Sequence, residues 1–141
     1  MLRMLVPVDG SANSDRAVKY VIDLAKRLKS TEVLALNVQP AVSYVELMLG
    51  PKPSAVAPES ERAGRDAAQS ACSLLEDAGV AYTLQVEQGQ PAETIGAFAK
   101  LRNCELIVMG TRGMGLIKTL AVGSVATKVI HLVDVPVTLV K

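Results

Sequence analysis

Short apolar runs alternate along this chain with longer segments of helical periodicity. Leu2 to Val8 is an apolar run that ends in Asp9-Gly10-Ser11. A run of that length closed by turn residues predicts a buried strand and a turn. Ser11, Asn13 and Ser14 are candidate helix N-caps. Beyond them Ala17, Val21, Leu24, Ala25 and Leu28 share one helical face, with Lys19, Asp23, Lys26 and Arg27 turned largely elsewhere. Val33 to Val38 predicts a second buried strand, so the chain opens with a strand–helix–strand unit.

Gln39 to Pro58 breaks the rhythm. It holds Pro40, Pro51, Pro53 and Pro58 together with Gly50, and no helix can run through it. Long connections of this kind are usually mobile or functional. Within it Val45 to Leu49 is apolar enough for a short turn or a lid; a disordered surface loop is the alternative reading. Glu59 to Ala78 is Ala-rich and predicts a helix with Ala67, Ala71, Leu74, Leu75 and Ala78 inward, ended by Gly79. Val80 to Val86 alternates and predicts a third strand. Pro91 suits the first position of a helix running to Lys100. Glu105 to Met109 predicts a fourth buried strand, followed by a Gly-rich segment from Gly110 to Gly123. Ser124 is placed to cap a helix through His131. Val135 to Val140 predicts the last strand, with Pro136 near its start at a tolerated edge position.

Strands alternating with helices predict an α/β fold: a five-stranded parallel sheet with helices on both faces. Right-handed crossovers leave 3-2-1-4-5 as the favoured strand order. Composition fits that picture. The 141 residues match one domain spanning 1–141, and 50% are hydrophobic while only 3% are aromatic. The core must then be Val, Leu, Ile and Ala, as where helices cover a parallel sheet. The net charge of +1 is dispersed and gives no basic face for nucleic acid. No apolar run approaches the roughly 20 residues that span a bilayer. The N-terminus is interrupted too early for a signal peptide, so a cytoplasmic location is expected. Cys72 and Cys104 lack metal-ligand spacing and read as small buried hydrophobes. His131, the sole histidine, reads as a surface residue near a helix end, so no transition-metal site is expected.

In this topology strands 1 and 4 are neighbours whose connections leave to opposite sides. Ligands bind at such a switch point, outside the carboxyl ends of the strands. Two unusual segments fall there: Pro7-Val8-Asp9-Gly10-Ser11 and the stretch from Gly110 to Ser124. The second carries Gly110, Gly113, Gly115 and Gly123. Glycines allow close backbone approach, and the amides opening the last helix carry partial positive charge that suits a phosphate. Ser124 could add a hydroxyl donor, and Arg112 and Lys118 could add charge. The spacing is neither that of a P-loop nor that of the dinucleotide fingerprint. Asp9 reads equally as an acceptor for a ribose hydroxyl, as an indirect Mg²⁺ contact, or as the start of an Asx-turn.

The spacing Gly110-x2-Gly113-x9-Gly123-Ser124 resembles the nucleotide motif of the universal stress protein family. Pro7 to Ser11 looks like that family's first strand end, and Val135 to Val140 like its last strand. The resemblance implies a Rossmann-like fold of the adenine nucleotide α-hydrolase-like kind, ATP and Mg²⁺ as ligands, and homodimers paired through Val135 to Val140. Carried over by position, Asp9 would contact the ribose. Pro7, Val8 and Val38 would flank the adenine, Val38 largely through its backbone. Gly110, Gly113, Gly123 and Ser124 would hold the phosphates, with Met109, Arg112 and Val125 lining the same pocket. Asn37 departs from the His that many members place before the adenine-flanking Val. The expected role is a nucleotide-dependent regulatory dimer in stress adaptation, not a dedicated enzyme. A slow metal-dependent ATP hydrolase, a nucleotide-free scaffold, and another adenine ligand such as AMP or a cyclic nucleotide are the alternatives.

Overall fold

The computed structural model describes residues 1–41, 56–111 and 122–141. The expectations for Val45 to Leu49 and for Arg112, Gly113, Gly115 and Lys118 lie outside the described residues. The chain order is β1 (Leu2–Pro7), α1 (Ala12–Arg27), β2 (Thr31–Gln39), α2 (Pro58–Ala67), α3 (Gln69–Asp77), β3 (Tyr82–Gln88), α4 (Pro91–Leu101), β4 (Leu106–Gly110), α5 (Ser124–Leu132) and β5 (Val137–Val140). The sheet has the order β3-β2-β1-β4-β5, and every pairing is parallel.

β1 sits at the centre, in register with β2 from Leu2↔Thr31 to Pro7↔Leu36 and with β4 at Met4↔Leu106 and Leu5↔Ile107. Its side chains alternate between two apolar layers. Met4 and Val6 enter the layer that α1 and α3 cover, with Ala17, Val18, Val21, Ala71 and Leu75. Leu5 enters the opposite layer with Ile95, Phe98 and Ala99 of α4 and Ala126 and Val129 of α5. That division leaves the β1–α1 and β4–α5 connections on opposite faces, which creates the switch point.

The helix expected over Glu59 to Ala78 is divided at Ala68, a turn residue at φ −85°, ψ −3° between α2 and α3. α2 lies on β2 and β3, while α3 packs on α1. Ala68 is fully buried, and Ala67, expected inward, is only half-buried. Gly79 ends α3 with φ +70°. Cys104 is buried, and burial pushes its thiol up, which keeps it protonated. Cys72 is half-buried at the margin of the α1-side layer, less enclosed than expected. β3 continues through Glu87, which the sequence places after the strand; the pairing Val38↔Glu87 keeps it in the ladder. His131 is exposed in the last turn of α5.

Gly110, the last residue of β4, has a specific packing role. A Cβ there would lie 2.7 Å from the Asn13 carbonyl oxygen and 2.8 Å from the Asn13 carbonyl carbon. The first turn of α1 therefore rests directly on the carboxyl end of β4. Gly110→Ala is expected to cost about 1–3 kcal/mol, because the obstructing atoms are backbone and cannot swing aside. A urea melt of the variant checks it, and an unchanged midpoint would refute this contact.

Candidate functional site

At the carboxyl end of β1 the backbone is tied by short-range hydrogen bonds. The Ser11 N–H donates to Asp9 Oδ1 at 2.9 Å, which makes Asp9 an Asx-turn residue. Gly10 takes φ +83°, the left-handed conformation that this turn needs. Ser11 is the N-cap of α1, accepting from the Ser14 N–H at 3.1 Å. The Ser14 hydroxyl oxygen in turn accepts from the Asp9 N–H at 3.2 Å. One Asp9 oxygen is thus committed to the turn. Among the described residues the other has no protein hydrogen bond, and Asp9 is exposed.

Pro7 is half-buried, and Val8 is 3% exposed in the α1-side layer. The Val8 N–H donates to the Leu36 carbonyl at 2.8 Å, and its own carbonyl accepts from Asn37 Nδ2 at 2.8 Å. β2 continues past this point to Gln39. Alternation along β2 turns the odd residues toward β3, as the Gly89 N–H on the Gln39 carbonyl shows at 2.9 Å. Leu36 and Val38 face the β1 side, yet the paired register ends at Pro7↔Leu36. Among the described residues the Val38 N–H and carbonyl have no backbone partner there. They point across the crevice beyond the end of β1.

The β4 side contributes a second structure. Thr111, 5% exposed, adds one pairing beyond β4, its N–H donating to the Val140 carbonyl at 3.0 Å. Its own carbonyl accepts from the Gly123 N–H. That bond sets the start of α5 directly at the end of β4. Gly123, not Ser124, is the N-cap, and Ser124 is the first helical residue with no side-chain cap bond at this terminus. A Gly cap accounts for the shift, since the Gly123 carbonyl takes both the Thr127 N–H at 3.0 Å and the Thr127 hydroxyl at 2.9 Å. The opening amides of α5, from Ser124 and Val125 onward, are the donors such an uncapped terminus offers. Ser124 is exposed and Val125 half-buried, while Met109 is 5% exposed in the α4–α5 layer.

Thr111, Ser14 and Asn37 are the residues that sequence reasoning left out of the site. Each acts through a hydrogen bond to a backbone group distant in sequence or set by a turn; Ser14 carried a signal as a cap candidate and Asn37 as a departure from the family pattern, and Thr111 carried none. Beside Asp9 lies an open groove of about 590 Å³, bordered by Gly10, Asp66, Ser70 and Ser73. Among the described residues Ala67 supplies its only aliphatic side chain apart from methylenes, so this lining is a poor seat for a purine ring. Among the described residues no three His, Cys, Asp or Glu side chains gather to hold a metal ion, and no helix is long and apolar enough to cross a membrane.

The strand order, the two-faced layering and the crevice between the ends of β1 and β4 define a Rossmann-like α/β protein of the adenine nucleotide α-hydrolase-like kind. The model of the universal stress protein family matches residues 1–141, and the chain belongs to that family. It is 32% identical to universal stress protein MJ0531 of Methanocaldococcus jannaschii over 139 residues, 99% of this chain and 81% of the relative. It is 31% identical to universal stress protein YxiE of Bacillus subtilis, covering 99% and 98% of the two chains. The solved structure of protein MJ0577 superposes with a TM-score of 0.78 at 28% identity, over 99% of this chain and 94% of that one. Two more distant structures share the fold: a universal stress protein in complex with cAMP (TM-score 0.74, 21% identity, 99% and 97% covered) and one from Archaeoglobus fulgidus in complex with dAMP (0.71, 20%, 100% and 98%).

The α1 cap supports the Asp9 turn and is separable from ligand chemistry. Ser11→Ala should lower stability by about 1 kcal/mol, and Ser11→Asp should restore most of it. Chemical denaturation of the three proteins reads this directly; equal midpoints would remove Ser11 from the cap.

Proposed function

We propose that this universal stress protein binds an adenine nucleotide, ATP with Mg²⁺ in the first instance, in the crevice between the ends of β1 and β4. The observation that carries the reading is the Val38 peptide edge beyond the end of β1, which has no backbone partner among the described residues. An N–H and a carbonyl on one extended residue match the ring-nitrogen acceptor and exocyclic amine donor of adenine. The remaining groups fit the rest of the ligand. Asp9 has an acceptor oxygen to offer a ribose hydroxyl, and the uncapped start of α5 offers amides to phosphate. Pro7 and Val8 supply the apolar wall, as do Met109 and Val125 on the other side of the sheet's end; Gly110 and Thr111 hold the backbone between them. Arg112 and Gly113 belong to the same reading through the family motif. Relatives solved with cAMP and with dAMP support an adenine ligand without deciding its phosphate count.

Mg²⁺ would be held mostly by phosphate oxygens and water, with Asp9 the nearby carboxylate. The chain is read as a binding protein in the cytoplasm whose occupancy is sensed by a partner in stress adaptation. It is also read as a homodimer through the outer edge of β5, the last strand of the sheet among the described residues, whose four residues are half-buried in the single chain.

Calorimetric titration of nucleotide-free protein with ATP and Mg²⁺ tests the ligand. Binding is expected, and Asp9→Ala should weaken it about tenfold, the loss of one to two hydrogen bonds. No heat and no rise in melting temperature would overturn the reading, because a ligand selective for the folded state must stabilise it. Sustained Asp9-dependent phosphate release in the same samples would replace the binding role by hydrolysis. Sedimentation equilibrium tests assembly: a mass twice the 14.9 kDa chain is expected, and a monomer would exclude the dimer.

A further inference from the structure

Asn37 is the one buried polar side chain inside β2, 3% exposed among apolar neighbours. Burying a carboxamide costs free energy unless its groups are paired. Here both ends are paired. Nδ2 donates to the Val8 carbonyl at 2.8 Å, and Oδ1 accepts from Gln39 Nε2 at 2.7 Å. Reversing the amide would set an oxygen against the Val8 carbonyl, so the network fixes its orientation.

The Val8 carbonyl is the group on which the β1–β2 ladder would otherwise continue. In a parallel pair a residue whose N–H donates to Leu36 receives, at its carbonyl, the N–H of the residue two further on, which is Val38. The Val8 N–H does donate to Leu36. Its carbonyl is taken by the Asn37 side chain instead. We infer that Asn37 is a positioning residue for nucleotide selectivity: its carboxamide substitutes for the Val38 N–H on the Val8 carbonyl and thereby leaves the Val38 edge open to read the base. Gln39 holds the carboxamide in that orientation. This inference rests on the adenine reading above and names the device that keeps the adenine-reading edge available.

Without the Asn37 donor the Val8 carbonyl accepts the Val38 N–H. The ladder then lengthens by one bond, and the donor for the base is lost. The effect falls on recognition of the base and spares the phosphate end. Inosine triphosphate isolates that difference, because its ring nitrogen carries a proton and a carbonyl replaces the exocyclic amine.

The test compares wild type with Asn37→Leu, which keeps the branched shape and removes both polar groups. Gln39→Leu is the milder variant, since Gln39 is only half-buried. Titrations with ATP and with inosine triphosphate give the selectivity ratio, and amide hydrogen exchange by NMR follows Val38 in the absence of nucleotide. Asn37→Leu is expected to lower the ATP preference about tenfold, the equivalent of one hydrogen bond. Its inosine triphosphate affinity should stay near wild type, and Val38 exchange should slow by a similar factor. Gln39→Leu should move both readouts the same way by less, and it carries the test if Asn37→Leu does not fold. A folded variant with the wild-type ratio, or with Val38 exchange unchanged, would overturn the role of Asn37. If wild type binds neither nucleotide the adenine reading fails, and the exchange comparison alone then decides whether Asn37 holds the ladder open.

Discussion

Everything in this molecule depends on β1 being paired on both edges and covered on both faces. A strand so enclosed must be apolar where both layers close on it, as Met4, Leu5 and Val6 are. It must also stop abruptly, because a polar residue cannot continue into the layers. The strand ends at Pro7 and burial at Val8, and Asp9 is the first exposed residue beyond them. Neighbouring strands do not stop at the same level. β2 runs on to Gln39, and Thr111 carries the β4–β5 pairing one residue past β4. The crevice is the gap left where the central strand ends and its neighbours run on, with polar backbone on its two flanks.

That gap is kept open by hydrogen bonds that fall between secondary-structure elements. Asn37 caps the Val8 carbonyl, Ser14 accepts from the Asp9 amide, and Thr111 receives the Gly123 amide. At the opposite end of the sheet the polar ties close the surface instead. The Arg3 guanidinium pairs with Glu32 and donates to the Arg102 carbonyl at 2.7 Å, and the Arg3 amide donates to Glu105 at 3.1 Å. Polar side chains thus do two jobs on one sheet: sealing at the amino end, and holding backbone groups apart at the carboxyl end.

Apolar periodicity carried nearly all of the architecture, because the strands are buried runs and the helices are amphipathic. Strand order followed from the alternation of elements and the handedness of crossovers. What the periodicity could not resolve was local. The division of the helix at Ala68 has no Pro or Gly there to announce it; the two parts pack on different neighbours, α2 on β2 and β3 and α3 on α1. Ser124 looked like a cap, yet the Gly before it takes that place, since Thr127 bonds the Gly123 carbonyl from within the helix. In the site, Asp9 was legible from its position at a strand end. Asn37 stood out only as a departure from a pattern, and its contact with Val8 spans 29 positions of sequence.

One carboxamide outside the crevice has a separate consequence. Gln88 Oε1 accepts from the Ala57 N–H at 2.7 Å, while its Nε2 donates to the Ser60 hydroxyl at 3.0 Å and reaches the Pro40 carbonyl at 3.5 Å. The chain that leaves at Pro40 and returns at Ala57 is therefore joined at its base, as the chain between Thr111 and Gly123 is. The sheet senses the ends of the first connection and not its length. Doubling that length would add only about 0.6 kcal/mol of closure entropy. The connection between Pro40 and Ala57 can therefore change in size without disturbing the register of the strands, whereas between Thr111 and Gly123 the spacing of the glycine motif sets the length.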